Sequence, residues 1–279
     1  MTVIDLTQDY DETKMRVVYA KPYEGKSQEK KQHINEIISL AKQAIEKNPY
    51  AKVLTITGEN ARDVQIMLHA GISPENIIAV NNDEKCCKKI RSVLNHIACY
   101  NVTVINDTLE NYVTSDNFDT NVRVVFADGC GWIFSGTGKC KNSPFNPTLV
   151  IKTLSHKLHD KPISIYYTAS VRIGWYADDK YKVSGGKEYA VQDFVTIAKQ
   201  YFANYDINYV LYGEHSNMTC VKIVPQECEV ILHDYCEEHH AKYKSMRPVR
   251  KRKPVSQQTL SCKSIIGRRR KRRRITRDN

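Results

Sequence analysis

"INYVLYGEHSNMTCVKIV", Ile207–Val224, holds two apolar runs, Tyr209–Gly213 and Cys220–Val224, with six residues between them. Parallel strands need a crossover of a dozen or more residues. These two runs are therefore expected to pair antiparallel, through a turn around Gly213–Asn217. Upstream the rhythm differs. Short β-branched runs at Val53–Thr57, Ile77–Asn81, Val102–Asn106, Val122–Ala127 and Ile163–Thr168 alternate with helical patterns at Asn60–Ala70, Asp83–Ala98, Pro147–His159 and Val191–Tyr205. Continuous apolar strands separated by amphipathic helices predict a parallel sheet covered on both faces.

The expected fold class is therefore α/β: a Rossmann-like, mostly parallel sheet with helices on both faces, ending in an antiparallel β-hairpin. Ahead of the first strand, Ile34, Ile37, Ile38, Leu40, Ala41 and Ile45 make one apolar helical stripe over residues 27–48. The expected organisation is a polar arm at 1–26, the α/β domain at 27–224, a C-terminal helix at 225–245 and a disordered basic tail at 246–279. With 279 residues and 41% hydrophobic residues the chain can bury a sizeable core. It has no run of eighteen apolar residues, so no membrane span is expected. The start, "MTVIDLTQDYDETK", is acidic and unlike a secretory signal. Nine scattered cysteines, an odd number, do not form a disulfide framework and predict a reducing compartment.

The net charge of +11 is unevenly placed. Of 42 Lys and Arg, 16 lie in Ala241–Asn279 beside one acid, Asp278; residues 1–240 keep 26 basic and 30 acidic residues, a net of −4. A polyanion-binding argument therefore belongs to the tail and not to the body.

The order of elements, with its closing hairpin, resembles the class I S-adenosylmethionine-dependent methyltransferase fold over Lys52–Val224. The resemblance implies S-adenosylmethionine as cofactor. It implies that Thr57, Gly58, Glu59 and Asn60, after the first strand, contact its methionine portion. Ligands of open α/β sheets bind beyond the carboxyl ends of strands, which agrees. At the end of the second strand, "AVNND", the family tends to carry an acid for the ribose hydroxyls. Here Asn81 stands there, and Asp83 follows as either a substitute or a helix cap. Asp107, after the third strand, matches the place that reaches the adenine amino group, and also suits a cap for a short helix at 108–113. Asp128, after the fourth strand, falls where an acidic or polar residue faces the methyl group. Gly58 itself is either a cofactor-facing residue or only the tight turn that a strand–helix junction needs. The Asp/Asn-Pro-Pro-Tyr/Phe motif of amino-methylating nucleic-acid enzymes is absent; Asp128-Gly129-Cys130-Gly131-Trp132 takes its place.

Substrate contacts are expected from Trp132, by stacking, and from Lys139 in "GTGKCKNSP", read as a loop over the cleft rather than a phosphate loop. Arg172, Trp175 and Tyr176 open a stretch that also carries Lys180, Tyr181 and Lys182. Interleaved aromatics and cations suit base stacking and phosphate neutralisation, or a packed surface loop. Cys228, His233, Cys236, His239 and His240 are spaced too irregularly for a zinc site, and no metal is expected. Two basic clusters close the chain: Arg250, Lys251, Arg252 and Lys253, then Arg268, Arg269, Arg270, Lys271, Arg272, Arg273 and Arg274. They resemble nuclear-import signals, and each could lie along a phosphate backbone. The partners expected are nucleic acid through this tail and a nuclear import receptor, with no membrane. The location expected is the nucleus, or the cytoplasm with nuclear import, in a cellular or virus-associated setting. The leading expectation is a methyltransferase acting on or near nucleic acid. The alternative is a catalytically inactive module of the same fold that binds nucleic acid or a protein through its tail.

Overall fold

A computed structural model describes residues 28–134, 146–171, 179–212, 218–228, 233–236 and 238, with the backbone alone for 129–132. The chain divides into Met1–Arg247 and Pro248–Asn279, and every described residue belongs to the first unit.

The elements are α1 (Gln28–Lys47), β1 (Lys52–Ile56), α2 (Arg62–His69), β2 (Ile77–Asn81), α3 (Glu84–His96), β3 (Thr103–Asn106), α4 (Leu109–Thr114), β4 (Val122–Trp132), α5 (Pro147–Lys157), β5 (Ser164–Ser170), α6 (Gly186–Tyr201), β6 (Tyr205–Tyr212) and β7 (Met218–Pro225). The sheet order is β3-β2-β1-β4-β5-β7-β6. Every pair from β3 through β5 is parallel; β7 runs antiparallel to both β5 and β6. This is the class I methyltransferase topology: a Rossmann-like sheet whose last strand turns back between β5 and β6.

Strand alternation divides the core into two layers. Leu54, Val125, Ile165 and Tyr167 point into the layer shared with α4, α5 and α6. Val53, Val124, Phe126 and Tyr166 point into the layer shared with α1, α2 and α3. The order reverses at β1, where the chain leaves β3-β2-β1 and continues through β4-β5. A crevice opens beyond the carboxyl ends of strands at such a switch point.

Three expected boundaries move. The fourth strand runs past Ala127 to Trp132, and its register with β5 jumps from Asp128↔Thr168 to Trp132↔Ser170. The extra residues form a bulge at the carboxyl edge. Helix α6 begins at Gly186 and not Val191, and ends at Tyr201 and not Tyr205. Gly185 precedes it with φ 77°, and a Cβ on Gly186 would lie 1.8 Å from the Tyr181 carbonyl oxygen. The glycine pair that reads as a break is thus the condition for the helix to start there. Finally, Pro225 ends β7 rather than opening a helix; Tyr235, Cys236 and Glu238 are helical, and most of the expected 225–245 helix falls outside the described residues.

Candidate functional site

The crevice at the switch point is a cleft of about 530 Å³. Its walls are the β1–α2 turn from Ile56 to Asp63, Asn81 at the end of β2, Asp128 on β4 and Lys30 on α1. A cavity of about 90 Å³ adjoins it, lined by Val80, Asn82, Asp107, Thr108, Leu109 and Glu110, and shares Ile56 and Asn81 with the cleft. The two cavities together follow the carboxyl ends of β1, β2, β3 and β4.

The turn after β1 does not depend on glycine. Its left-handed residue is Ala61, with φ 46°, and Gly58 is absent from the positive-φ positions. The reading of Gly58 as the residue a tight turn requires is therefore corrected. What Gly58 provides is room, because a Cβ there would meet no atom within 4 Å. Thr57 beside it is buried, and its Oγ1 has no hydrogen-bond partner among the described residues. Glu59 pairs with Lys89 of α3, and the Asn60 carbonyl accepts from Gln65 Nε2 at 2.6 Å.

Asn81 is committed on both sides. Its Nδ2 donates to the Thr57 carbonyl at 2.8 Å and its Oδ1 accepts from the Asp83 N–H at 2.8 Å. It ties the β1 turn to the β2 turn. Asp83 is the cap of α3, accepting from the N–H groups of Lys85 (2.7 Å) and Cys86 (3.0 Å). It lines neither cavity. Asp107 lines the smaller one, and its Oδ1 accepts from Thr108 N–H at 2.7 Å and Asn111 Nδ2 at 2.8 Å. The cap of α4 is Thr108, whose Oγ1 accepts from Asn111 N–H at 3.1 Å, so the expected capping role of Asp107 passes to its neighbour.

Asp128 faces the cleft with its charge balanced. Lys30 Nζ donates to Oδ1 at 2.9 Å and to Oδ2 at 3.1 Å, and Thr168 Oγ1 donates to Oδ1 at 2.6 Å. Behind this pair lies a buried polar layer. Glu36 of α1 accepts from Lys222 Nζ at 2.7 Å, Tyr166 Oη at 2.8 Å and Gln32 Nε2 at 2.8 Å. Burial pushes the Glu36 carboxyl up, but the Lys222 ammonium and the two other donors hold it below the ordinary value. His33 sits beside this layer, 1% exposed, with both ring nitrogens unpartnered among the described residues. Burial, then the Lys222 charge, lowers its pKa to about 4.

Several expected contacts fall on residues that are not described, and others differ from expectation. Lys139, Arg172, Trp175 and Tyr176, the tail clusters and the side chain of Trp132 lie outside the described residues. Tyr181, read with Lys180 as a candidate nucleic-acid surface or a packed loop, is buried and stacked on Phe134 at 5.5 Å; Lys180 Nζ and the Tyr181 hydroxyl donate to Asp193 Oδ2 at 2.6 and 2.9 Å. Two of the irregularly spaced His and Cys residues near the end of the body lie in different surroundings. His233 is exposed on Glu238, whereas Cys236 is buried, its N–H on Asn35 Oδ1. Among the described residues no group of His, Cys, Asp and Glu is placed to hold a metal ion, and no helix is long and apolar enough to cross a membrane.

The structure adds four residues that sequence reasoning missed: Lys30, Arg62, Asp63 and Glu110. Glu110 is buried in the smaller cavity wall, where burial raises its carboxyl despite a 2.6 Å hydrogen bond from Asn146 N–H. Arg62 and Asp63 follow the β1 turn directly and could have been included with it. Lys30 meets Asp128 across 98 residues and had no local signal.

A nucleotide-type cofactor is compatible with these walls at two of three places. The smaller cavity offers Ile56, Val80 and Leu109 as apolar sides and the Asp107 carboxylate at its edge. The β1 turn offers open space at Gly58 and an unpartnered hydroxyl at Thr57. The ribose place offers an amide already engaged, and the carboxylates lining the cleft are Glu59, Asp63 and Asp128, of which Glu59 is paired with Lys89 and Asp128 with Lys30.

No family model matches the chain, and no curated protein does. Among solved structures, an rRNA methylase from Streptococcus thermophilus is similar at 17% identity, covering 72% of this chain and 98% of its own, with a TM-score of 0.46. The plantazolicin methyltransferase BamL, in complex with a desmethyl analogue and SAH, is similar at 11%, covering 77% and 97%, with a TM-score of 0.42. A ribosomal protein L11 methylase from Lactobacillus delbrueckii subsp. bulgaricus is similar at 11%, covering 67% and 77%, with a TM-score of 0.35. The fold rests on the strand order and the closing hairpin, not on these likenesses.

Proposed function

We propose that the chain is an S-adenosylmethionine-dependent methyltransferase that acts on nucleic acid recruited by its basic tail. The observation that carries the first half is the pair of adjoining cavities at the switch point, with an apolar slot ending in Asp107 on one side and the open Gly58 turn on the other.

When bound, S-adenosylmethionine would supply an electrophilic methyl on a sulfonium, which an acceptor lone pair can take in line as the carbon–sulfur bond breaks and S-adenosylhomocysteine leaves. The chain's part is positioning, because bringing two reactants into line is where most of such a barrier is removed. Ile56, Val80 and Leu109 would hold the flat ring, and the Asp107 carboxylate at the cavity's edge could accept from its amino group. Thr57 and the backbone from Gly58 to Asn60 hold the opposite end. Glu59, which lines the cleft, would have to turn from Lys89 to supply the ribose carboxylate that Asn81 does not provide. Asp128, fixed by Lys30 and Thr168, orients the acceptor rather than acting as a free base, since both its oxygens are already bonded.

The second half rests on the tail's 16 cations against a body of net −4. The tail also serves as a nuclear address read by an import receptor. Titration calorimetry of the full chain with S-adenosylhomocysteine tests the cofactor reading. Binding accompanied by a rise in melting temperature is expected, as ligand binding stabilises by mass action. No heat and an unchanged melting temperature at high protein concentration would sink it.

A further inference from the structure

At the opposite edge of the sheet from the candidate site lies a second cleft, of about 250 Å³. It forms where α1 ends, where β4 and β5 begin and where β7 ends. Leu40, Val124, Pro225 and Cys228 contribute to its apolar floor, and among the described residues its charged lining is Lys47, Arg123 and Lys161, with no acid. On a body of net −4, a hollow whose described lining carries three cations and no acid is a local exception.

The cations are only partly occupied. Arg123 Nη1 donates to the Thr120 and Val122 carbonyls at 2.9 and 2.7 Å, and its other donors have no hydrogen bond among the described residues. Lys161 Nζ shares the Thr120 carbonyl at 3.2 Å. Lys47, at the last turn of α1, is exposed and has no hydrogen bond among the described residues. Asp160 and Asp119 act on Arg123 electrostatically but do not line the cleft.

We infer that this cleft docks an acidic segment of a partner protein, with an apolar side chain seated among Leu40, Val124 and Pro225 and flanking carboxylates on Lys47, Arg123 and Lys161. Charge complementarity selects this occupant. A single aliphatic carboxylate would leave two of the three cations unanswered, whereas a peptide brings several acids around one anchor. The hollow has room for one or two large side chains. It lies away from the candidate active cleft, so a partner there leaves that cleft open. The inference does not depend on cofactor binding.

The test uses the full chain and two fluorescein-labelled decapeptides, one with a central leucine–phenylalanine pair flanked by aspartates, the other with serines in place of that pair. The basic tail attracts both equally, so the difference between them reports the apolar seat. The anchored peptide is expected to bind about tenfold or more tighter by anisotropy at physiological ionic strength, the factor that burying one such side chain provides. Lys47→Glu should weaken the anchored peptide, and Ala44→Trp, which fills the hollow, should erase the preference. Equal binding of the two peptides, or a preference that survives both substitutions, would overturn the inference. So would displacement of the anchored peptide by decanoate at equal concentration, or a dimer of the free chain that Lys47→Glu dissociates; the cleft would then belong to a lipid-like acid or to a second copy.

Discussion

Gly58 and His33 both make predictions that follow from a single side chain. Gly58 is not among the positive-φ positions and a Cβ there would meet no atom within 4 Å, so Gly58→Val should cost the free protein little. The added methyls would project into the space that the proposed cofactor uses. The expected outcome is a melting temperature close to the parent's, with S-adenosylhomocysteine binding weakened at least tenfold by calorimetry. Equal loss of stability and binding would mean that the turn itself needs glycine. His33 predicts a pH dependence. Its pKa falls from 6.5 to about 4 on folding. Above pH 6.5 it is neutral in both states; between 6.5 and 4 only the unfolded chain takes up the proton, so stability falls as pH falls. The full effect is on the order of 3 kcal/mol. Glu36 adds to the same trend below its ordinary value of 4.5, because its folded carboxyl is held low. His33→Leu should flatten melting temperature against pH from 6.5 to 4 and leave the steeper Glu36 loss below it. An unchanged profile would show that His33 does not titrate on unfolding.

Helix α1 is an element whose role the sequence understates. Its stripe of isoleucines predicted the helix and its buried face, and the structure agrees to within a residue at each end. Its polar residues gave no sign of what they join. Lys30 and Glu36 fasten the helix to β4 through Asp128 and to β7 through Lys222, and Glu36 also takes the Tyr166 hydroxyl of β5. The cleft wall therefore depends on ion pairs spanning 98 and 186 residues, which no local pattern encodes. The ends of β1, β2 and β3 were legible because each follows an apolar run, so Thr57, Asn81 and Asp107 could be placed there in advance; Asp128 follows such a run too, although β4 continues beyond it. The bulge after Asp128 was not, since it is a register jump between two strands, and the start of α6 was hidden behind two glycines. The buried pair makes the next prediction. Glu36→Leu leaves Lys222 buried without its partner and should cost about 3–5 kcal/mol in denaturant unfolding. Adding Lys222→Met should recover most of that, because two apolar residues of similar size need no compensation. If the double variant is as unstable as the single one, packing around Glu36, and not its charge, holds α1.

For the whole molecule the deciding quantity is where the charge lies. A body of net −4 repels a phosphate backbone, and a tail with 16 cations attracts it, so all sequence-independent affinity is assigned to the last forty residues or so. Such binding comes from counterion release, and it leaves a signature in salt. The logarithm of the binding constant should fall linearly with the logarithm of salt concentration, with a slope of about −0.9 per phosphate neutralised on duplex DNA and about −0.7 on single strands. The cluster Arg268–Arg274 carries seven cations. Replacing it with Gly and Ser should reduce the slope by up to about 6 on duplex DNA, and removing everything after His240 should abolish salt-sensitive binding altogether. The weaker slope on single strands also offers a discrimination: a chain whose affinity for single-stranded RNA exceeds that for duplex DNA at high salt, despite fewer released ions, must be gaining contacts from outside the tail. Bases stacked on aromatic side chains would provide such contacts, which are sequence-tolerant and release no counterions of their own. Binding that survives truncation with its slope unchanged would move the recognition surface onto the acidic body and leave the tail as an address for import alone.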